Sequence, residues 1–145
     1  MTNITRELNS KFCSDKIKAY INIRYAAYWT NCREYEFFKP YGISFQQYNI
    51  LKILSSEKEP IKVQIIKNKM IGRVPKATRL MDKLYYKKLI DKLRSENDKR
   101  IAYIAITGQG LKLLHKIESN LVIGFLNNFS EEEITQLNYL LDKLS

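Results

Sequence analysis

Cysteine, histidine, glycine and proline are all scarce in this chain, and each scarcity removes an option. Two cysteines among 145 residues, Cys13 and Cys32, cannot build a disulfide framework, and neither sits in a CxxC pair. A single histidine, His115, leaves no Cys/His set for a structural zinc ion, so neither a metal nor a cofactor is expected. No Gly-rich phosphate loop, GxSxG or HExxH occurs, and the lone histidine has no nucleophile motif beside it, so the chain does not read as an enzyme. No apolar run approaches the roughly 20 residues that span a bilayer. The polar start, MTNITRELNSKFC, has no apolar stretch of the kind a secretory signal needs, so a cytoplasmic protein without a membrane partner is expected. Five glycines and three prolines leave no flexible linker and no repeat, and most of the chain is free to be helical.

What is present is positive charge, and it is localised. The formal net charge is +10, yet residues 61–100 alone hold thirteen Lys/Arg against four Asp/Glu, whereas residues 120–145 are net acidic. A basic block of this density is the electrostatic footprint of a polyanion-binding segment, although a solvated basic face with no partner would look the same on charge alone. With 45% hydrophobic and 28% charged residues, 1–145 reads as one ordinary globular domain.

The hydrophobic periodicity predicts a first helix over about 3–38, apolar on more than one face between Tyr20 and Trp29 and ended by Pro40 and Gly42. Ser44 to Gln47 reads as a capping box opening a helix that buries Phe45, Tyr48, Ile50, Leu51 and Leu54. A polar turn, Glu57 to Pro60, precedes a short helix at about 61–70. Gly72 breaks the chain, and Pro75 suits the first turn of a helix over about 74–87. There Ala77, Leu80, Met81, Leu84 and Tyr85 form one stripe, while Lys76, Arg79 and Lys83 form another, apolar behind and basic in front. Two extended runs, 89–94 and 101–106, joined by a polar turn, read as a β-hairpin. Thr107 caps a long helix over about 108–127, and Ser130 with Glu133 opens a last one. The order is α-α-α-α-β-β-α-α: a mainly α chain with a small β-hairpin wing, the layout of a winged helix-turn-helix, whose last clustered helix enters the major groove.

On these residues the chain resembles the MarR family of bacterial transcriptional regulators. The match runs over about 43–115 and is carried by Ile43 to Leu51, Thr78 to Leu84, Asp98-Lys99-Arg100 and Ile106 to Gly110, in that order and spacing. The resemblance implies a sequence-specific regulator of transcription, expected to be a repressor. It would bind a palindromic operator in double-stranded DNA as a homodimer, with 43–107 as the DNA-binding lobe and 1–40 and 108–145 as the dimerisation region. It also implies release by a small aromatic or anionic effector in many members. A nonspecific or architectural nucleic-acid-binding protein is the alternative, and it shares the charge pattern. One departure concerns Lys88, where the family commonly has glycine. A left-handed turn at lysine costs about 1 kcal/mol, which leaves open whether the turn is retained there.

The expected DNA-binding residues are Arg73, Lys76, Thr78, Arg79, Lys83, Lys99 and Arg100. Arg79 suits bidentate bonding to guanine, while contact with phosphates alone is the plainer role for Lys76, Thr78 and Arg79. Arg100 is the expected wing tip in or along the minor groove, with Asp98 orienting its guanidinium; an ordinary exposed turn pair is the alternative. Lys67, Lys69, Lys92 and Arg94 are expected to join Lys99 in neutralising phosphates. The aromatic cluster around Tyr25, Trp29 and Tyr48 either lines an effector pocket or forms dimer core. Cys13 and Cys32 read more readily as small hydrophobes than as oxidant sensors, and His115 as an interface or surface residue.

Overall fold

The helix that begins the described part of the chain is started by Ser14, whose hydroxyl accepts from the Ile17 N–H at 3.3 Å. The computed structural model describes residues 14–121, 124 and 126–144. The expected helical start at residue 3, with Cys13, therefore lies outside the described residues, as do Ile123 and Phe125. Helix α1 spans Asp15–Phe38 and passes through a 3-10 turn, Lys39–Tyr41, to a left-handed Gly42 at φ 67°. Ser44 then opens α2, Phe45–Ser56, with both halves of the expected capping box in place. After β1, Ile61–Lys62, come α3, Val63–Lys69, and α4, Ala77–Tyr86. Strands β2, Ile90–Arg94, and β3, Ala102–Ile106, form the hairpin; α5, Gly108–Asn120, and α6, Glu131–Asp142, complete the chain.

Three boundaries depart from the sequence reading. Residues 61–62 are not the first turn of a helix but a short strand, with Ile61 opposite Ile104 and Lys62 opposite Tyr103, so the wing is a three-stranded antiparallel sheet in the order β1-β3-β2. Two residues carry no readable period, and the pairing of Ile61 with fully buried Ile104 is a tertiary gain invisible locally. Helix α4 starts at Ala77 rather than near residue 74, because Val74 to Ala77 closes a turn first and Pro75 lies in it. Helix α5 stops at Asn120, short of 127; the stretch after it holds Gly124, Asn127 and Asn128, poor helix formers placed in turns.

The chain parts into two compact units between Leu114 and His115, inside α5. In the first, α2 packs on α4 and β3, α3 packs on β1 and β3, and α4 packs on β2. Ile50, Leu51, Ile66, Met81, Leu84, Ile90 and Ile104 are essentially without exposure, and each such side chain contributes about 1.5–3 kcal/mol relative to an exposed one. Among the described residues, Gln47 is the one polar side chain buried with them. Its amide oxygen completes the capping box and its nitrogen donates to the Leu80 carbonyl at 3.3 Å, tying α2 to α4. In the second unit, α6 is opened by the expected Ser130–Glu133 box, has three glutamates in its first turn, and buries no residue. No helix among the described residues is long and apolar enough to cross a membrane.

Candidate nucleic-acid interface

Helix α4 divides into two faces as its spacing requires. Ala77, Met81 and Leu84 are buried, and roughly opposite them, at about 100° per residue, stand Arg79 and Tyr86 with Lys76 and Lys83 beside them. Every expected DNA-binding residue is exposed: Arg73, Lys76, Thr78, Arg79 and Lys83 around this helix, Lys99 and Arg100 at the wing tip. Lys76 is the N-cap and offers no side-chain bond to the first turn, so charge rather than a cap occupies this helix start.

The C-terminal end of α4 is held by backbone geometry. Leu89 N–H donates to Leu84 at 3.0 Å and Lys88 N–H to Tyr85 at 2.8 Å, the pattern of a helix closed by a left-handed residue. That residue is Lys88, at φ 61°. The turn that usually takes glycine is thus retained with lysine in it. Thr107 secures it from the other side: its hydroxyl donates to the Lys88 carbonyl at 2.8 Å and accepts from Gly110 N–H at 3.0 Å, while its N–H donates to Leu89 at 3.1 Å. Gly110 passes so close that any Cβ there would strike the Leu89 carbonyl oxygen. A residue expected only to cap α5 therefore also fixes the end of α4.

At the wing, the expected role of Asp98 needs correction. Its carboxylate accepts from the Arg100 backbone N–H at 2.9 Å rather than orienting the guanidinium, because an Asp two residues before the turn's end is spaced for the main chain. Arg94 braces the same turn, its Nη1 donating to the Lys99 carbonyl at 2.8 Å. The Arg100 side chain is left exposed at the tip. Two lysines expected to meet phosphates are engaged within the fold: Lys69 pairs with Glu57, and Lys92 with Asp82 of α4. The second pair joins the wing to α4, with the Lys92 ammonium 5.4 Å from the Tyr85 ring centroid. Lys67, Lys88 and Lys99 remain exposed.

The expected effector-pocket residues are not among those that line the cleft at the C-terminal end of α1. Trp29 lies under the Arg33 guanidinium, 3.9 Å from the ring centroid, and is 41% exposed. Tyr48 packs with Phe38 and Phe45 at ring distances of 5.3 and 6.1 Å, and Tyr25, though half-buried, is not among the cleft residues. A cleft of about 870 Å³ opens where the end of α1 meets the start of α2 and the C-terminal end of α4, floored by Phe38, Ile43 and Phe45 and edged by Glu34, Lys83 and Lys87. Burial raises the Glu34 carboxyl above its ordinary range. Lys87 donates to the Gly42 carbonyl across this cleft. Spacing along α1 alone does not reveal this cleft, because it depends on the left-handed turn at Gly42. Cys32 is exposed, not a buried hydrophobe, and its hydrogen bond to Tyr28 raises the phenol's pKa. His115 is exposed, and no cluster of three or more His, Cys, Asp or Glu fit for a metal occurs among the described residues.

Known proteins place this arrangement. Residues 35–117 match the model of the transcriptional regulator SarA/Rot family. Among curated proteins nothing matches. Solved structures of similar fold include a MarR-like transcription regulator from Bacillus cereus at 18% identity, TM-score 0.78, covering 90% of this chain and 95% of that one. A cysteine-to-serine mutant of MarR from E. coli, complexed with operator DNA, is 23% identical over 93% of this chain and 99% of its own, at TM-score 0.74. The MepR–DNA complex of S. aureus is similar at 22% identity and TM-score 0.72, over 92% and 97% of the two chains. The winged-helix fold read from the sequence is that of these MarR regulators, and the chain belongs to the SarA/Rot family of transcriptional regulators.

Proposed function

We propose that the protein binds a palindromic operator as a homodimer and represses transcription, with α4 in the major groove and the β2–β3 wing along the minor groove. The observation that carries this is the division of α4: a packed apolar back, and a front whose Lys76, Thr78, Arg79 and Lys83 are all exposed beside a braced basic wing. Arg79 stands at the centre of that front, where bidentate bonding to guanine O6 and N7 is worth about 1–3 kcal/mol of discrimination. Arg73, Lys67, Lys88 and Lys99 neutralise phosphates, and Arg100 lies at the minor groove. The MarR and MepR structures were solved on DNA, which supports the same mode of use here.

Dimerisation is supported by uncovered apolar surface. Helix α1 exposes Ile17, Tyr20, Ile23, Tyr28 and Trp29, and α6 exposes Tyr139, Leu140 and Leu141. Effector control is assigned to the cleft edged by Lys83 and Lys87, since an anionic aromatic there would take hold of a lysine on the DNA-reading helix.

Binding to labelled DNA from upstream of the protein's own gene, against random DNA at several salt concentrations, tests the proposal. A site held about 10³-fold or more above random DNA, with steep salt dependence, supports a regulator. Steep salt dependence without preference favours the architectural alternative, and no binding at low salt ends the DNA reading. Arg79→Ala is expected to relax sequence preference by about 1–3 kcal/mol; equal weakening on all sequences would reduce Arg79 to a phosphate contact.

A further inference from the structure

We propose that Tyr86 reads the methyl group of a thymine about three base pairs from the one contacted by Arg79. The inference rests on the reading of α4 as the helix that enters the major groove. Arg79 and Tyr86 stand on the same outward line of α4, opposite Ala77, Met81 and Leu84. They are seven residues apart, which is about 10 Å at 1.5 Å per residue, or about three steps of 3.4 Å along DNA.

Tyr86 is 81% exposed, more than any other large hydrophobic side chain among the described residues. Its neighbour Tyr85 is 44% exposed and lies near the Lys92 ammonium; the ring pairing of Tyr86 among the described residues is a loose edge contact with Tyr85, at 6.0 Å between centroids. No packing in the lobe accounts for a ring held in solvent. Nor does phosphate attraction require it, since Lys83, Lys87 and Lys88 all lie within one turn. The acid nearest in sequence, Asp82, is neutralised by Lys92 and does not repel DNA from this end of the helix. What the ring adds is an apolar surface in a basic setting. The one apolar group on the major-groove edge of a base pair is the thymine C5 methyl.

The test uses the full chain and a duplex that it selects from a random-sequence pool. Each thymine in the selected site is replaced singly by deoxyuridine, which removes only the methyl. The wild type is expected to lose about four-fold in affinity at one position per half-site, the equivalent of about 0.8 kcal/mol for one buried carbon. That loss should vanish in Tyr86→Ala and persist in Tyr86→Phe, which keeps the ring. Arg79→Ala should keep the uracil penalty while losing guanine preference, which separates this claim from the reading beneath it. Indifference of the wild type to every uracil overturns the proposal, as does a penalty unchanged in Tyr86→Ala. Equal weakening of all sequences by both Tyr86→Ala and Tyr86→Phe would assign the hydroxyl to a phosphate instead and also overturn it. If no preferred duplex is selected at all, the groove reading of α4 fails first and this proposal falls with it.

Discussion

Helix α2 buries five of its twelve residues, whereas α1, twice as long, buries only Phe38. Both helices are rich in large apolar side chains, so the share of such side chains does not separate them. Surroundings do: α2 has α4, α3 and β3 against it, while α1 meets the rest of its unit mainly at its C-terminal end. Two kinds of hydrophobic surface are therefore present, one packed inside the first unit and one exposed along α1, which the proposed homodimer would cover. The distinction is thermodynamic as well as geometric, because only the first kind contributes to stability at any protein concentration.

Truncation on the two sides should give the largest contrast. Leu84→Ala, at a fully buried site behind α4, is expected to cost about 2–5 kcal/mol by denaturant unfolding. Tyr20→Ala with Tyr28→Ala should weaken self-association in sedimentation while leaving the dilute monomer within about 0.5 kcal/mol of wild type. Equal losses from both would erase the distinction. Gly110→Ala sharpens it within the lobe. Its Cβ meets the Leu89 carbonyl and comes 2.8 Å from Ile106 Cγ1, and backbone cannot yield as a side chain does, so a loss of about 1–3 kcal/mol is expected. Lys88→Gly should act in the opposite direction, raising stability by about 0.5–1 kcal/mol as the left-handed strain is relieved; a destabilised variant would mean that the lysine side chain packs usefully.

The smallest effect lies on α1. Burial disfavours the ionised Glu34 carboxylate, so the folded chain holds this proton to higher pH than the unfolded chain does. Stability is then lost as pH rises through Glu34's raised range and is regained below the ordinary carboxylate range. Glu34→Gln should melt slightly above the wild type at neutral pH, with the gap closing in acid. A gap that ignores pH would count against burial as the cause.

Much of the fold is legible in the amino-acid sequence, because the elements concerned are local. Ser44 with Gln47 and Ser130 with Glu133 announce helix starts through bonds three residues apart. The two faces of α4 follow from spacing alone. What escapes reading depends on partners distant in the chain. Ile61 becomes a strand only because Ile104 lies opposite, and Lys92 is withdrawn from phosphate duty only because Asp82 stands one element away. The cleft depends on the turn at Gly42, and Asp98 reads as the partner of a guanidinium although the nearer donor is an N–H. Tyr86 is easily passed over because it falls outside the apolar stripe and carries no charge, although helical stepping from Arg79 finds it.

At Lys88 two physical demands oppose each other. A glycine there would relax the backbone, yet the chain carries a cation at the point where α4 ends beside exposed lysines. In a library screened for heat resistance this position should drift toward glycine or asparagine. In one screened for operator retention it should stay basic, and the residue recovered would report which demand the protein had been under.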